Sequence, residues 1–466
     1  MKKVLAIDMG ATSIRAILAY IENDSLKIEE VMRFSHDIVD DNNRKRWQFD
    51  LILKNITDTI LKYKDEISSV AVDSWGVDFG FIKENELFEN PISYRDPENS
   101  LGIEQSLEKK PLKDLFLETG NQINSINSFF QLLAYKKINN TNFKDFDTLL
   151  FIPDLINYFL CGAKKTDITM ASTSQMLDMN LKKWNFKLLD EFDINKNMFT
   201  DFSKHGEIIG NTKNSKIEAL KECDIDVVSI PAHDTAAAIT MTKSNEDPNT
   251  MFLSSGTWTL FGVVADKAYI NEKVFEKNLT NEIGFGEKNL LLKNITGLFV
   301  FEKFKKELEQ IKGKKYTYEE IENICNEISL DGLEYFDIED ERFSSVEKSA
   351  IESIEEYLKE TGQKISENKE RYFKVIYYSI VKNLKKVKKD IEEVTAKTYK
   401  RIHIIGGGSK SKILCNLIKE MLGVDLIEGP QEATALGNIY VQIKKIYNLD
   451  SEKIDTIFNK YKKENL

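Results

Sequence analysis

The run Val4-Leu5-Ala6-Ile7 ends on a carboxylate, Asp8, and passes through Gly10, Thr12 and Ser13 before apolar character resumes from Ile14 to Tyr20. An apolar run bounded by turn residues predicts a buried strand, and a second run behind a small-residue turn predicts its antiparallel return. The tip of such a hairpin offers backbone N–H groups and hydroxyls to phosphate oxygens, while Asp8 suits a hydrated Mg2+ bridging the same oxygens. Taken alone, the stretch is also compatible with a surface hairpin that has an acidic edge. The later segments decide between the two.

At 466 residues the chain is too long for one core, so at least two domains are expected. A net charge of −11 argues against a nucleic-acid surface, and the lysines from Lys382 to Lys389 lie on a helical pattern that suits a solvated face. Cys161, Cys223, Cys325 and Cys415 are scattered without metal-ligand spacing and read as reduced. The chain enters its first strand without a signal-like segment, and no apolar run has the length of a membrane span. A cytoplasmic protein without membrane partners is expected.

Leu26 to Phe34 extends the hairpin into a meander, and Phe49, Ile52, Leu53, Ile56 and Ile60 mark one face of a helix. The next strand, Ser69 to Val72, delivers Asp73-Ser-Trp-Gly-Val-Asp78 at its C-terminal end, the end at which open α/β sheets bind ligands. Asn121 to Asn127 is rich in amides, which suits either turns or a hydroxyl-rich ligand. Leu149 to Asn157 reads as a strand running into a helix, Thr166 to Leu177 as a loop and strand, and Trp184 to Phe192 as a helix. The strand Val227 to Pro231 delivers Ala232-His-Asp-Thr-Ala236, and the helix from Thr235 to Met241 is expected to start on Thr or Asp as its cap. The polar run Lys243 to Thr250 divides the chain into expected domains 1–245 and 246–466.

The second half restarts like the first. Met251 to Thr257 is a strand and a Gly/Ser/Thr turn, and Trp258 to Val264 returns, which suggests two related lobes. A strand Leu290 to Lys293 ending at Asn294, a helix Gly297 to Leu308, a charged helical region Gln310 to Gln363 and a long helix Phe373 to Val394 follow. Strand Arg401 to Ile405 opens into Gly406 to Ser409 ahead of a helix, Ser411 to Leu422, whose N-terminal dipole favours an anion. Strand Val424 to Ile427 and helix Ala433 to Ile443 complete the lobe.

With these segments in place the chain resembles the FGGY carbohydrate kinases of the actin-like ATPase superfamily, in particular their L-rhamnulose-phosphorylating branch. The resemblance rests on Asp8-Met-Gly-Ala-Thr-Ser13 with Arg15, Asp73 to Phe79, Tyr94-Arg-Asp96, His233-Asp-Thr-Ala236, Leu253 to Trp258, Leu292-Lys-Asn294 with Gly297, and His403 to Gly408 with Gly437-Asn438. It implies an α/β fold of two ribonuclease-H-like lobes with a central ligand cleft, in which ATP, with Mg2+, phosphorylates the 1-hydroxyl of L-rhamnulose.

Carried over by motif, Ala11, Thr12, Ser13 and Arg15 belong at the phosphates and Asp8 near the metal. Trp75, Gly76, His233, Asp234, Thr235 and Asn294 belong at the sugar, with Trp75 as a flat apolar wall. Thr257, Glu302 and Gly407 belong at the nucleotide. Asp234 is the expected general base, since phosphoryl transfer needs an acceptor for the hydroxyl proton, although the same carboxylate could instead cap its helix. Ile14, where the family has a small residue, and Glu302, where related sequences carry Gln, depart from the pattern. A kinase for L-fuculose or L-xylulose and an actin-like or chaperone-like ATPase are the alternatives; either a monomer or a homodimer is compatible with the chain.

Overall fold

The computed structural model describes residues 2–256, 258–343 and 348–465. The opening strand, Lys3–Met9, is buried along nearly its whole length because strands flank it on both sides. Ser13–Glu22 returns antiparallel to it, and Ile67–Ser74 runs parallel on the other side. The six-stranded sheet has the order Ile208–Asn211, Asp226–Val228, Ile67–Ser74, Lys3–Met9, Ser13–Glu22, Ser25–Ser35. Helix Phe49–Lys62 buries Phe49, Ile52, Ile56 and Ile60 in the core under this sheet. Each such side chain contributes about 1.5–3 kcal/mol by leaving water.

Two compact units divide the chain, and each gathers segments that are discontinuous in sequence. The first gathers Met1–Met241, Ala265–Leu290 and Ala433–Leu466; the second holds Thr242–Val264 and Leu291–Glu432. The late helix Ala433–Ile446 returns to the first unit because its polar residues complete that sheet. Gln442 donates to the Leu5 carbonyl at 3.1 Å and Asn438 to the Ala71 carbonyl at 3.2 Å. A Cβ at Gly437 would stand 1.9 Å from the Ala237 carbonyl oxygen, so only glycine lets this helix cross Asp234–Thr240 so closely.

The second unit repeats the pattern of the first. Strand Thr250–Ser255 pairs antiparallel with Trp258–Ala265 and parallel with Arg401–Ile405, which in turn pairs parallel with Asp425–Glu428. The long helix is Tyr372–Thr395, and the charged region holds helices Tyr318–Asn326 and Ala350–Glu360.

Several elements differ from the sequence reading. Thr166 to Leu177 contains a short helix, Ile168–Ser172, because the Asp167 side chain accepts from the N–H groups of Thr169 and Met170. Helix Asp234–Thr240 has His233 as its N-cap, with no side-chain cap bond, rather than Thr235 or Asp234. Helices Leu101–Leu107, Leu112–Thr119 and Ser128–Asn139 have no counterpart in that reading. All four cysteines are free and buried, and among the described residues no helix is long and apolar enough to cross a membrane.

Candidate active site

Strand register builds the first row of the site. Asp8 stands opposite Arg15 on the antiparallel neighbour and opposite Asp73 on the parallel one. Arg15 pairs with the Asp8 carboxylate. Asp73 is fully buried; its Oδ2 accepts from Asn438 at 2.7 Å, and its Oδ1 has no hydrogen-bond partner. Burial, and then the negative charge of Asp8, push the Asp73 carboxyl well above the usual range. Beyond Asp8 the turn is closed by Gly10 N–H donating to the Ser13 carbonyl at 3.0 Å. Thr12 is exposed and Ala11 and Ser13 are half-buried, so the hairpin tip is open, while Ile14 lies wholly in the core and leaves the tip unobstructed.

A second row follows one residue further on, where Ser74 bridges to His233 and its N–H donates to the Ala232 carbonyl at 2.8 Å. Gly76 to Asp78 form a γ-turn: Asp78 N–H donates to the Gly76 carbonyl at 2.9 Å, and Val77, a β-branched residue, is held at φ 67. That conformation stores strain on the order of 1–3 kcal/mol and is held from outside. Thr173 Oγ1 accepts from Val77 N–H at 3.2 Å, and Ser128 Oγ donates to the Val77 carbonyl.

Trp75 does not offer the open wall expected of it. The residue is only 5% exposed, its ring stacked on His36 at 5.5 Å and packed on Trp47 at 4.4 Å. Its indole N–H donates to the buried Asp78 carboxylate at 3.0 Å, beside that of Trp47 at 2.6 Å. An indole N–H buried here needs an acceptor, and meeting that need turns the ring inward. Trp75 therefore braces the Gly76 segment from beneath. The amides expected to face either turns or a ligand are struts: Asn121 donates to the Ser172 carbonyl at 2.7 Å and Asn127 to Gln175 at 2.7 Å.

His233 meets Gly76 across this row. A Cβ at Gly76 would stand 3.2 Å from Thr173 Oγ1 and 3.3 Å from the His233 ring. His233 Nε2 lies 3.4 Å from Asp234 Oδ1, and Nδ1 lies 3.4 Å from Glu282 Oε2. Burial pushes the imidazole pKa down, but Glu282, Asp234 and Asp167 outweigh it and leave it raised. Burial pushes the Asp234 carboxyl up, opposed by His233 and Thr235, and with 36% of the side chain open to solvent the group remains accessible. Thr235 N–H donates to Asp234 Oδ1 at 2.5 Å. Behind them Asp167, paired with His205 at 2.9 Å, accepts from Ala232 N–H at 3.0 Å and fixes the strand end.

In the second unit Asn294 is half-buried on strand Asn289–Thr296. Glu302 is exposed on helix Phe299–Lys312 and accepts from Tyr318 Oη at 2.9 Å. Gly407 is exposed with open space above it, and Gly408 packs so closely on Ser255 that a Cβ would meet its Oγ at 2.2 Å. Thr257 lies outside the described residues.

The model of the FGGY family of carbohydrate kinases matches this chain in two parts, its N-terminal domain over residues 3–240 and its C-terminal domain over 251–445. The chain belongs to the FGGY family of carbohydrate kinases. Among curated FGGY relatives, the rhamnulokinase of Oceanobacillus iheyensis is 33% identical over 450 residues, covering 96% of this chain and 94% of the relative. That of Ligilactobacillus salivarius is 32% identical over 448 residues, covering 95% and 90%. Among solved structures, xylulose kinase from Lactobacillus acidophilus aligns with a TM-score of 0.78 at 16% identity, covering 98% of this chain and 92% of that one. Plasmodium falciparum glycerol kinase aligns at 0.77 with 15% identity over the same shares. At these identities the structures establish the FGGY fold, with its two related α/β lobes.

For the metal that an FGGY kinase implies, the donor set is hard oxygen. No cluster of three or more His, Cys, Asp or Glu among the described residues is arranged to hold an ion. The orphaned buried Oδ1 of Asp73 beside Asp8 nevertheless fits Mg2+, which takes one or two carboxylates and completes its shell with water and phosphate. Asp73 and Glu282 were not singled out from the sequence. Asp73 ends its strand as Asp8 does and could have been found by that parallel; Glu282 carries no comparable local signal.

Proposed function

We propose that this FGGY kinase transfers the γ-phosphate of ATP to the 1-hydroxyl of L-rhamnulose, giving L-rhamnulose 1-phosphate and ADP. The substrate class rests on the two rhamnulokinase relatives, aligned over 95–96% of the chain. The chemistry rests on one observation: the Asp234 carboxylate stands at the first residue of its helix, partly open to solvent, with the contacts to His233 and Thr235 falling on Oδ1. Oδ2 is then the atom that meets the sugar hydroxyl.

The hydroxyl oxygen bonds to the γ-phosphorus, its proton passes to Asp234, and the bond to the bridging oxygen breaks with the electron pair leaving on ADP. Ala11, Thr12 and Ser13 receive the phosphates at the hairpin tip, and Arg15 holds Asp8 in place. Asp8 and Asp73 are the residues that would hold Mg2+, which neutralises phosphate charge when bound. In the first unit Gly76, His233 and Thr235 orient the sugar, with Trp75 supporting Gly76. By motif alone, Asn294 is assigned to the sugar and Thr257, Glu302 and Gly407 to the nucleotide. Use of ATP and four buried free cysteines suit a cytoplasmic enzyme.

Specificity for one ketose rests on hydrogen bonds that a wrong hydroxyl configuration leaves unpaired, an effect larger than the roughly 1 kcal/mol of burying one methyl. An ATP-coupled assay across a ketose panel tests the assignment. L-Rhamnulose should give the highest kcat/KM, with epimers falling further than analogues lacking only the methyl; a higher value for L-fuculose, L-xylulose or glycerol overturns it.

A further inference from the structure

Glu282 is buried to 4% exposure on the short strand Thr280–Ile283. Its neighbours pin that strand: Asn281 N–H donates to the Gly120 carbonyl at 3.0 Å, and Ile283 N–H donates to Ser172 Oγ at 2.9 Å. Strand alternation turns Glu282 to the opposite side, toward His233. A carboxylate taken out of water is costly unless it is paired. Its ion partner among the described residues is His233, whose Nδ1 lies 3.4 Å from Oε2, an ion-pair distance, and neither atom makes a hydrogen bond among the described residues.

The ring is held at its other nitrogen too, with Nε2 3.4 Å from Asp234 Oδ1, and the bare Gly76 leaves the space its edge occupies. Turning the imidazole by half a rotation would face Glu282 with a carbon instead of Nδ1 and leave the buried carboxylate unpaired. We propose that Glu282 is a positioning residue: it selects one orientation of the His233 ring, so that Nε2–H is directed at Asp234 and at the sugar. Glu282 then acts on the reaction only through His233. Asp234 on the adjoining helix and Asp167 behind the strand end are the other charged groups facing that ring, and both favour its doubly protonated form.

This role rests on the sugar-kinase reading, and its tests separate from it. Glu282→Gln keeps the shape of the side chain and removes its charge. It should raise the KM for sugar roughly tenfold while the KM for ATP stays within about twofold, as for loss of a hydrogen bond to a charged group. In a His233→Gln background the same change should add no further loss, because the two residues act as one unit. The chain has only four histidines, so the imidazole nitrogen signals of His233 can be followed directly. Glu282→Gln should move the protonation of the His233 ring to lower pH than in wild type, because it removes the largest of the charges that raise it.

An unchanged sugar KM in folded Glu282→Gln, additive losses in the double variant, or unaltered His233 signals would each overturn the proposal. The spectrum needs no substrate, and the kinetics can use whichever ketose the panel favours. A failure of the L-rhamnulose assignment would therefore leave the His233 signature in place, whereas a failure of the Glu282 proposal would leave kinase activity without that signature.

Discussion

Asn438 donates to the Asp73 carboxylate at 2.7 Å although 365 positions separate the two residues in the chain. The bond ties the late helix Ala433–Ile446 to the strand that ends beside Asp8, so the first unit is complete only when the chain returns to it. Asn438→Ala would leave Asp73 buried with neither oxygen paired by that helix. The expected loss of stability is about 1–3 kcal/mol, read as a lower urea midpoint with an unchanged slope. An unchanged midpoint would show that the pair adds nothing to the fold.

Asp78 supplies a pH test. Burial lifts its carboxyl to about 7 despite hydrogen bonds from Trp47, Gln131 and Trp75. A carboxyl whose folded value lies above its unfolded value binds its proton more tightly in the fold. Its stabilising contribution is then present below the ordinary value of 3.8 and is lost as the pH rises toward about 7. Chemical denaturation should show wild-type stability declining over that window, and Asp78→Asn should be less stable throughout but with a flatter profile. Equal slopes in the two proteins would remove Asp78 as the cause.

How much of this was legible depended on how local each signal was. The strand–Asp–turn–strand hairpin around Asp8 is contiguous, and so is its echo at Met251 to Val264; both appear where they were read. The pairing of Asp8 with Asp73 needs a parallel ladder between distant segments, and Glu282 reaches His233 only by tertiary packing. Helix Ser128–Asn139 was missed because every residue from Ser128 to Tyr135 is buried, leaving no amphipathic stripe to detect. That Trp75 turns inward was not legible, since nothing local announces that Asp78 accepts its N–H.

Gly76 tests the sugar side. A methyl group there must displace the Thr173 hydroxyl or the His233 ring, at 3.2 and 3.3 Å, beside the strained Val77. Gly76→Ala should therefore raise the KM for sugar roughly tenfold and leave the KM for ATP nearly unchanged. Steady-state kinetics with each substrate varied in turn would show it, and equal effects on both would point to a general loss of structure instead.

The central claim is that Asp234, not capping its helix but presenting a carboxylate beside His233 and Thr235, takes the proton of the attacking hydroxyl. Rapid-quench measurement of phosphoryl transfer in Asp234→Asn, with ATP and L-rhamnulose both saturating, addresses it most directly. The chemical step should slow by roughly 10²-fold or more while both substrates bind within a few-fold of wild type; transfer at a near-normal rate would contradict the account.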